Sequence, residues 1–200
     1  MIFDAKEIDP RENYQLLNGG VTPRPIAWIS TRSSEGVDNL APYSFFSVAS
    51  CNPPVLLYTQ VTQRNGIDKD TLNNLLDTGE CVVNIVSAKL LDKANRCSAS
   101  IEASESEFDF ASVESTASYK VLPRSVKASP VRYECSLKVV ISISELPAGG
   151  TVVLLDVKAI YVRDDLYIDS AIDQTLIDSV GKMGGDRYSY TAAGVVLERP

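Results

Sequence analysis

The alternation of apolar and polar residues is most regular between residues 132 and 145, in "RYECSLKVVISISE". Every second position there is apolar or aromatic: Tyr133, Cys135, Leu137, Val139, Ile141 and Ile143. Such alternation is typical of a strand with one face on the core, so we expect these six side chains to share the buried face. The turn signal "PAGG" follows, and 151–162 alternates in the same way. The pattern therefore predicts an antiparallel hairpin.

Four more apolar, β-favouring runs lie in the first half of the chain: "PIAWIST", "APYSFFSVAS", "PPVLLYTQ" and "CVVNIVS". A closed barrel accommodates six or so such strands because closure removes exposed sheet edges. We therefore expect a mostly β fold. The 200 residues contain neither an internal repeat nor a long linker, which favours one domain over 1–200.

Two helices are predicted between the strands. In "KDTLNNLLDTG", residues 69–79, an apolar face of Leu72, Leu75 and Leu76 follows a capping residue, and Gly79 ends the helix. Residues 88–97 predict a second helix. The segment 98–120 is rich in Ser, Ala and Glu, so we expect it to be an exposed excursion.

The charge balance narrows the possible partners. The formal net charge is −7 with no basic run, which argues against binding to nucleic acid or to an anionic membrane. The first residues lack the basic and apolar regions of a signal peptide, and no stretch of about 18 apolar residues is present. A cytoplasmic location is the expectation.

The chain has four cysteines and no histidine. The cysteines form no CxxC pair, so we interpret all four as reduced, buried thiols. The missing histidine argues against Ser-His and Cys-His nucleophile pairs and most zinc hydrolase sites. No residue is assigned as a catalytic nucleophile, and no metal site is expected.

The first candidate binding site is the "KDT" of Lys69, Asp70 and Thr71 at the predicted helix start. A helix N-terminus offers free N–H groups and a positive dipole end to an anion, and lysine and threonine suit a phosphate. The alternative is an ordinary cap by Asp70 beside a solvated lysine.

The second candidate is "RPIAWISTRSSEGVDNLAPYSFF", two strand-like runs joined by a turn. Ser30, Thr31 and Ser44 supply small hydroxyls, while the low bulk of Ala41 and Pro42 lets a planar ligand reach the backbone. The alternative is a barrel hairpin with serines on its wet face.

Together these stretches resemble the flavin reductase-like family with the FMN-binding split-barrel fold. The resemblance also rests on "NPP" at 52–54, "EF" at 107–108 and "VGKMGGDRY" at 180–188, in the expected order. Lys182 departs from the family pattern, which usually has arginine there. The resemblance implies a six-stranded antiparallel Greek-key barrel that forms a homodimer, with FMN bound at or near the subunit interface.

The resemblance also implies the residues that bind FMN. The flavin would be lined by Ser30, Thr31 and the backbone around Asn39, Leu40 and Ala41, with Ser44, Phe45 and Phe46 beside its ring or ribityl chain. Lys69, Asp70 and Thr71 would lie beside the phosphate.

The implied function is an FMN-dependent oxidoreductase, a flavin reductase that takes hydride from NADH or NADPH. A partner oxygenase or another protein would then accept the electrons. Hydride moves directly between the two cofactor rings, so the protein needs no nucleophile. Two alternatives stay open: a flavin-binding electron carrier or storage protein, and a barrel without cofactor that serves only in assembly.

Overall fold

The computed structural model describes residues 1–62, 70–192 and 194–198. The strands are β1 (Arg24–Pro25), β2 (Ala27–Arg32), β3 (Asp38–Tyr43), β4 (Phe46–Cys51), β5 (Pro54–Val61), β6 (Glu80–Ile85), β7 (Ser115–Thr116), β8 (Ser125–Val126), β9 (Val131–Ser142), β10 (Gly150–Val162), β11 (Tyr167–Ile168), β12 (Ala171–Ile172), β13 (Val180–Lys182) and β14 (Tyr188–Tyr190). The α-helices are α1 (Pro10–Gly20), α2 (Asp70–Thr78), α3 (Leu91–Arg96) and α4 (Glu107–Phe110), and short 3-10 turns cover Ala88–Leu90 and Asp164–Leu166.

A large antiparallel sheet dominates the fold, which confirms the mostly β prediction. Its strand order is β3-β2-β6-β9-β10-β5-β4. The first and last strands of this order are consecutive in the chain, with only Ser44 and Phe45 between them. At this junction the backbone N–H of Thr59 donates to the carbonyl of Phe45 at 2.7 Å. One continuous segment, from β3 to β4, therefore forms both edge strands of the sheet.

The predicted face of β9 is wrong in its second half. The pairing with β10 shifts between Leu137 and Val139, which leaves Lys138 unpaired in a bulge. An extra residue reverses which side chains face the core because the side-chain period of a strand is two. Val140 accordingly packs against the core, whereas Val139, Ile141 and Ile143 are exposed.

Glu134 is one of the polar residues that alternate with the apolar ones along β9, so the alternation would leave it exposed. Its side chain is buried. One carboxylate oxygen accepts the N–H of Tyr119 at 2.8 Å, and the other accepts the N–H of Lys120 at 2.5 Å. This carboxylate therefore fastens the 98–120 segment to the sheet, since buried carboxylates require such partners.

Helix α2 lies where it was predicted, but its buried face differs from the predicted apolar face. Leu72 and Leu75 are buried against the sheet, but Leu76 is 56% exposed. Gly79 has φ +74 directly after the helix, the left-handed conformation in which glycine commonly ends a helix. The second predicted helix is confirmed as α3 with the 3-10 turn before it.

Most of the segment 98–120 is exposed, as its composition suggested, but its middle is anchored in the core. Phe108, Ala111 and Val113 are buried in a second core cluster around Trp28. Apolar burial outweighs the polar composition of the segment because three buried side chains suffice to anchor it. Helix α1 is a further element that the pattern did not predict.

Three of the four thiols are buried, as expected, but Cys51 is exposed. Cys51 ends β4, which pairs only with β5 in the main sheet. Burial raises the pKa of Cys97 to about 12. A hydrogen bond with Cys135, reinforced by burial, raises the pKa of Cys81. Cys81 and Cys97 are therefore protonated at neutral pH.

Candidate functional site

Four buried polar side chains from the β2–β3 hairpin and α2 form what we call the hairpin–helix cluster: Thr31, Asn39, Thr71 and Asn74. Thr31 and Asn39 are cross-strand partners. Asn39 Nδ2 donates to Thr71 Oγ1 at 2.9 Å, and Asn74 Nδ2 donates to Thr31 Oγ1 at 3.1 Å. The structure therefore brings three of the predicted binding residues together at the start of α2.

The cluster lies beside the first turn of a nine-residue helix. Asp70 is half-buried and Thr71 is buried. The first N–H groups of a helix have no intrahelical partner, and the helix dipole adds positive potential there. Lys69, the third predicted residue of this start, lies outside the described residues.

Ser30 is not part of the hairpin–helix cluster. Its hydroxyl donates to the carbonyl of Arg124 at 2.6 Å and accepts from Nδ2 of Asn84 at 3.3 Å. Successive side chains of a strand point to opposite faces, so Ser30 and Thr31 diverge. The structure thus separates two residues that the sequence analysis had placed side by side.

Leu40 and Ala41 have buried side chains in the two core clusters. The backbone N–H of Leu40 donates to Oε2 of Glu107 at 2.8 Å. The "EF" pair noted in the sequence therefore has two structural roles: Glu107 accepts a hydrogen bond from the backbone of β3, and Phe108 packs in the core. Ligand contacts along Asn39–Ala41 would have to use the remaining backbone groups.

Tyr43 lies between the hairpin–helix cluster and the core of the main sheet. Its ring is 4.8 Å from that of Tyr58, and its hydroxyl lies 3.5 Å from Oε1 of Gln60. Burial is the main cause that raises the pKa of Tyr43, while a hydrogen bond with Thr71 opposes the rise. The phenol is therefore protonated at neutral pH.

Ser44, Phe45 and Phe46 lie at the other end of β3, where they line a groove of about 440 Å³ that we call the aromatic groove. Its volume falls within the range of small-molecule sites. The lining comes from the α1–β1 segment and the β3–β4 segment: Leu17, Asn18, Val21, Pro23, Arg24, Pro25, Ser44, Phe45, Phe46 and Ser47.

Arg24 is the charged side chain of the aromatic groove and is only 7% exposed. Nη1 donates to the carbonyls of Asn18 and Val21 at 2.8 and 3.0 Å, and Nη2 donates to that of Met183 at 3.3 Å. Nε donates to Ser44 Oγ at 3.3 Å. The guanidinium carbon lies 5.8 Å from the centre of the Phe45 ring. Arg24 therefore joins α1, β1, the β3–β4 junction and the β13–β14 turn.

Asn18 adds an unused acceptor to the border of the groove. Its Nδ2 donates to the carbonyl of Tyr14 at 2.9 Å, which fixes the orientation of the amide. Its Oδ1 is buried and has no hydrogen-bond partner among the described residues. Such atoms are uncommon in native proteins because an unpaired buried acceptor costs free energy.

A larger cavity, of about 660 Å³, lies between the turn after β2 and α4. Asp38, Glu105 and Asp109 line it together with Arg124. Burial raises the pKa of Asp38, opposed by Arg32 and Arg124. Three carboxylates against one lining arginine make this cavity unsuited to an anionic ligand.

Three residues of the site were not predicted from the sequence as candidates: Arg24, Asn18 and Glu107. Arg24 stood inside the quoted "RPIAWIST" segment, where a cation directly before a buried strand was the available signal. Asn18 had no such signal because its role depends on the packing of α1 against β1.

The described part of the chain contains no cluster of three or more His, Cys, Asp or Glu side chains that could hold a metal ion. Within the same residues, no helix is long and apolar enough to cross a membrane.

Three solved structures are similar to this chain. Nitrilotriacetate monooxygenase component B from Bacillus cereus is 28% identical with a TM-score of 0.93, and the match covers 98% of each chain. The 2-nitrobenzoate 2-nitroreductase from Pseudomonas fluorescens is 28% identical with a TM-score of 0.89, covering 100% of this chain and 96% of that one. A split-barrel protein from Shewanella frigidimarina shares the fold, with a TM-score of 0.86 at 23% identity over the whole of both chains.

The family model described as "Flavin reductase like domain" matches residues 19–176. This range includes the hairpin–helix cluster, Arg24 and the β3–β4 junction. Because the match covers more than half of the sequence, the chain belongs to the flavin reductase-like family.

Proposed function

We propose that this flavin-related oxidoreductase is an FMN-dependent flavin reductase that takes hydride from NADH or NADPH, and that its flavin ring lies in the aromatic groove. The observation that carries the proposal is the lining of the groove. Two phenyl rings and several apolar side chains surround one buried arginine. Flat apolar walls with a few polar groups are what a planar heterocycle needs.

The polar groups of the groove fit a flavin. The pyrimidine edge of a flavin presents an N–H donor between two carbonyl acceptors. Among the described residues Asn18 Oδ1 is an acceptor without a partner, and Nη2 of Arg24, which donates once within the protein, has a second N–H left for a ligand. Bound there, the flavin would supply the hydride-accepting chemistry, while Asn18 and Arg24 orient its edge and the rings of Phe45 and Phe46 exclude water.

The phosphate of FMN would lie at the start of α2. Asn39 and Ser44 are five residues apart, which corresponds to about 16 Å of extended strand. The five-carbon ribityl chain is shorter than this distance, so the flavin ring itself would have to extend from the aromatic groove towards the hairpin–helix cluster. Lys69, Asp70 and Thr71 would then be beside the phosphate, with Thr31 and Asn39 behind them. In the same proposal, Ser30 supports β2 rather than the ligand, because its hydroxyl is engaged elsewhere.

We also propose that the main sheet is a six-stranded Greek-key barrel. If β3 and β4 count as one bent strand, the order closes into a ring of six. The fourth strand, β6, lies beside the first, β2, after a long connection through α2. This return of the fourth strand is the defining feature of a Greek key.

A homodimer forms part of the proposal. The bulge in β9 exposes what we call the outer strip: Leu57, Val139, Ile141, Val152 and Leu154, which are cross-strand neighbours on one face. Val139 and Ile141 are 39% and 45% exposed. A contiguous apolar patch on a sheet face favours association with a second copy, and a two-fold pair uses the same patch twice.

The electron acceptor could be a partner oxygenase, as the name of the Bacillus cereus component suggests. A flavin-binding electron carrier is the second candidate, because no described feature identifies a nicotinamide pocket. A cytoplasmic location stays a prediction from the sequence.

The proposed activity predicts that NADH or NADPH will bleach the protein-bound flavin without air. FMN-loaded protein is mixed anaerobically with each donor, and the flavin absorbance is followed. Prompt loss of absorbance is expected. Bleaching only with dithionite or a partner reductase would support the carrier, and a protein that ignores FMN would contradict both.

The proposed phosphate site predicts that Lys69→Ala weakens FMN binding by about ten- to a hundredfold, since a charge-assisted contact contributes about 1.5–3 kcal/mol. Riboflavin lacks the phosphate and should bind the variant and the wild type alike. Lys89→Ala, at an exposed lysine elsewhere, is the matched control. Fluorescence titration measures each affinity. Equal losses for FMN and riboflavin would place the phosphate elsewhere.

The proposed interface predicts a solution mass of twice the 21.7 kDa chain. Ile141→Lys should shift the protein towards monomer because it puts a charge into the outer strip. Ile168→Lys is the control, since Ile168 is equally exposed, at 46%, but lies outside the strip. Light scattering measures the mass. A monomeric wild type that still binds FMN stoichiometrically would disprove both the homodimer and the expectation that FMN binds at the subunit interface.

A further inference from the structure

Arg24 carries a charge that its hydrogen bonds do not neutralise. All its hydrogen-bond acceptors among the described residues are neutral: three backbone carbonyls and the hydroxyl of Ser44. It forms no ion pair with a carboxylate among residues 1–62, 70–192 and 194–198. A buried cation without a counter-charge costs several kcal/mol, by the general magnitude for desolvated ions. The charge is therefore not explained by stability.

A second cation lies opposite the first. Lys182 is the cross-strand partner of Arg24 in the β1–β13 pair. Its ammonium donates to the carbonyls of Gly185 and Arg187 and lies 4.4 Å from the centre of the Tyr188 ring. Like charges directly opposite each other destabilise a sheet. Burial is the main cause that lowers the pKa of Lys182, and Arg24 lowers it further, although Asp186 opposes both.

The two residues, which we call the cationic pair, create positive potential where Arg24 enters the aromatic groove. Arg24 lines the groove directly, whereas Lys182 is not among the lining residues and is the cross-strand neighbour of Arg24. In a partly desolvated site such potential acts more strongly than in water. The pair therefore favours negative charge on whatever occupies the groove.

We propose that Arg24, supported by Lys182, stabilises the reduced, anionic form of a flavin in the aromatic groove over its oxidised form, and so raises the flavin's midpoint potential. This inference rests on the proposed function. When a hydride breaks from its donor carbon and bonds to N5, it brings both electrons and one proton. The donor leaves as its oxidised cation, and the negative charge remains on the N1 and C2 carbonyl side of the ring. No further proton or co-reactant is needed.

Arg24 lies at the edge of the groove where that charge would develop. Protein charge near N1 is one of the ways in which a protein tunes a flavin. If Arg24 only held the surrounding segments in place, its loss would weaken the binding of oxidised and reduced FMN equally. The affinities for oxidised and reduced FMN therefore separate the two roles.

The test measures the midpoint potential of bound FMN, and the affinity for oxidised FMN, in wild type and four variants. Arg24→Gln removes the charge in the groove, Arg24→Lys keeps it, and Lys182→Gln removes the second charge. Lys158→Gln is the matched control, since Lys158 is exposed on β10 and outside the groove.

Arg24→Gln should weaken binding of reduced FMN about tenfold more than binding of oxidised FMN, which lowers the potential by about 30 mV. Lys182→Gln should give a smaller fall, about threefold in the same ratio. Arg24→Lys should keep most of the wild-type potential, and Lys158→Gln should leave it unchanged.

If Arg24→Gln loses equal affinity for oxidised and for reduced FMN, Arg24 has only a structural role. If that variant does not fold, Lys182→Gln decides the matter, because an unchanged potential there overturns the inference. A wild type that binds no FMN instead disproves the proposed function. A wild type that binds FMN with potentials insensitive to all four changes leaves the function standing and refutes the tuning role.

Discussion

The junction between β3 and β4 is the constraint on which the rest of the structure depends. Ser44 and Phe45 carry one run of chain from the β2 edge of the sheet to the β5 edge, and the Thr59–Phe45 hydrogen bond fixes the crossing. Arg24 holds the same two residues through Ser44 Oγ and the Phe45 ring. The aromatic groove exists because α1 and β1 must pack against this bend.

The charges of the molecule distinguish the cavity beside Asp38 from the aromatic groove. The larger one, beside Asp38, is rich in carboxylates, whereas the aromatic groove has a buried arginine and no lining carboxylate. An electron-accepting ring that becomes negative on reduction suits the second environment. Cavity volume alone would favour the cavity beside Asp38, whose carboxylates suit an anionic cofactor less well than the aromatic groove does.

Much of the fold was predictable because the strands follow the period-two pattern and α2 has clear ends. The hairpin pairing of Thr31 with Asn39 was predictable for the same reason. The exposure of Ile141 was not predictable, because the alternation of apolar and polar residues does not reveal the one-residue bulge at Lys138. The roles of Arg24 and Asn18 were equally hidden, because they arise from contacts between segments distant in sequence. Ser30 was predicted to bind the ligand, but the pleat of β2 directs its hydroxyl away from the hairpin–helix cluster, to the carbonyl of Arg124.

A crystal structure of the FMN complex tests the central claim most directly. The account predicts that the ring lies in the aromatic groove, with its pyrimidine edge at Asn18 and Arg24 and its phosphate at the start of α2. Density for the ring in the cavity beside Asp38, or anywhere remote from Phe45, would contradict the account.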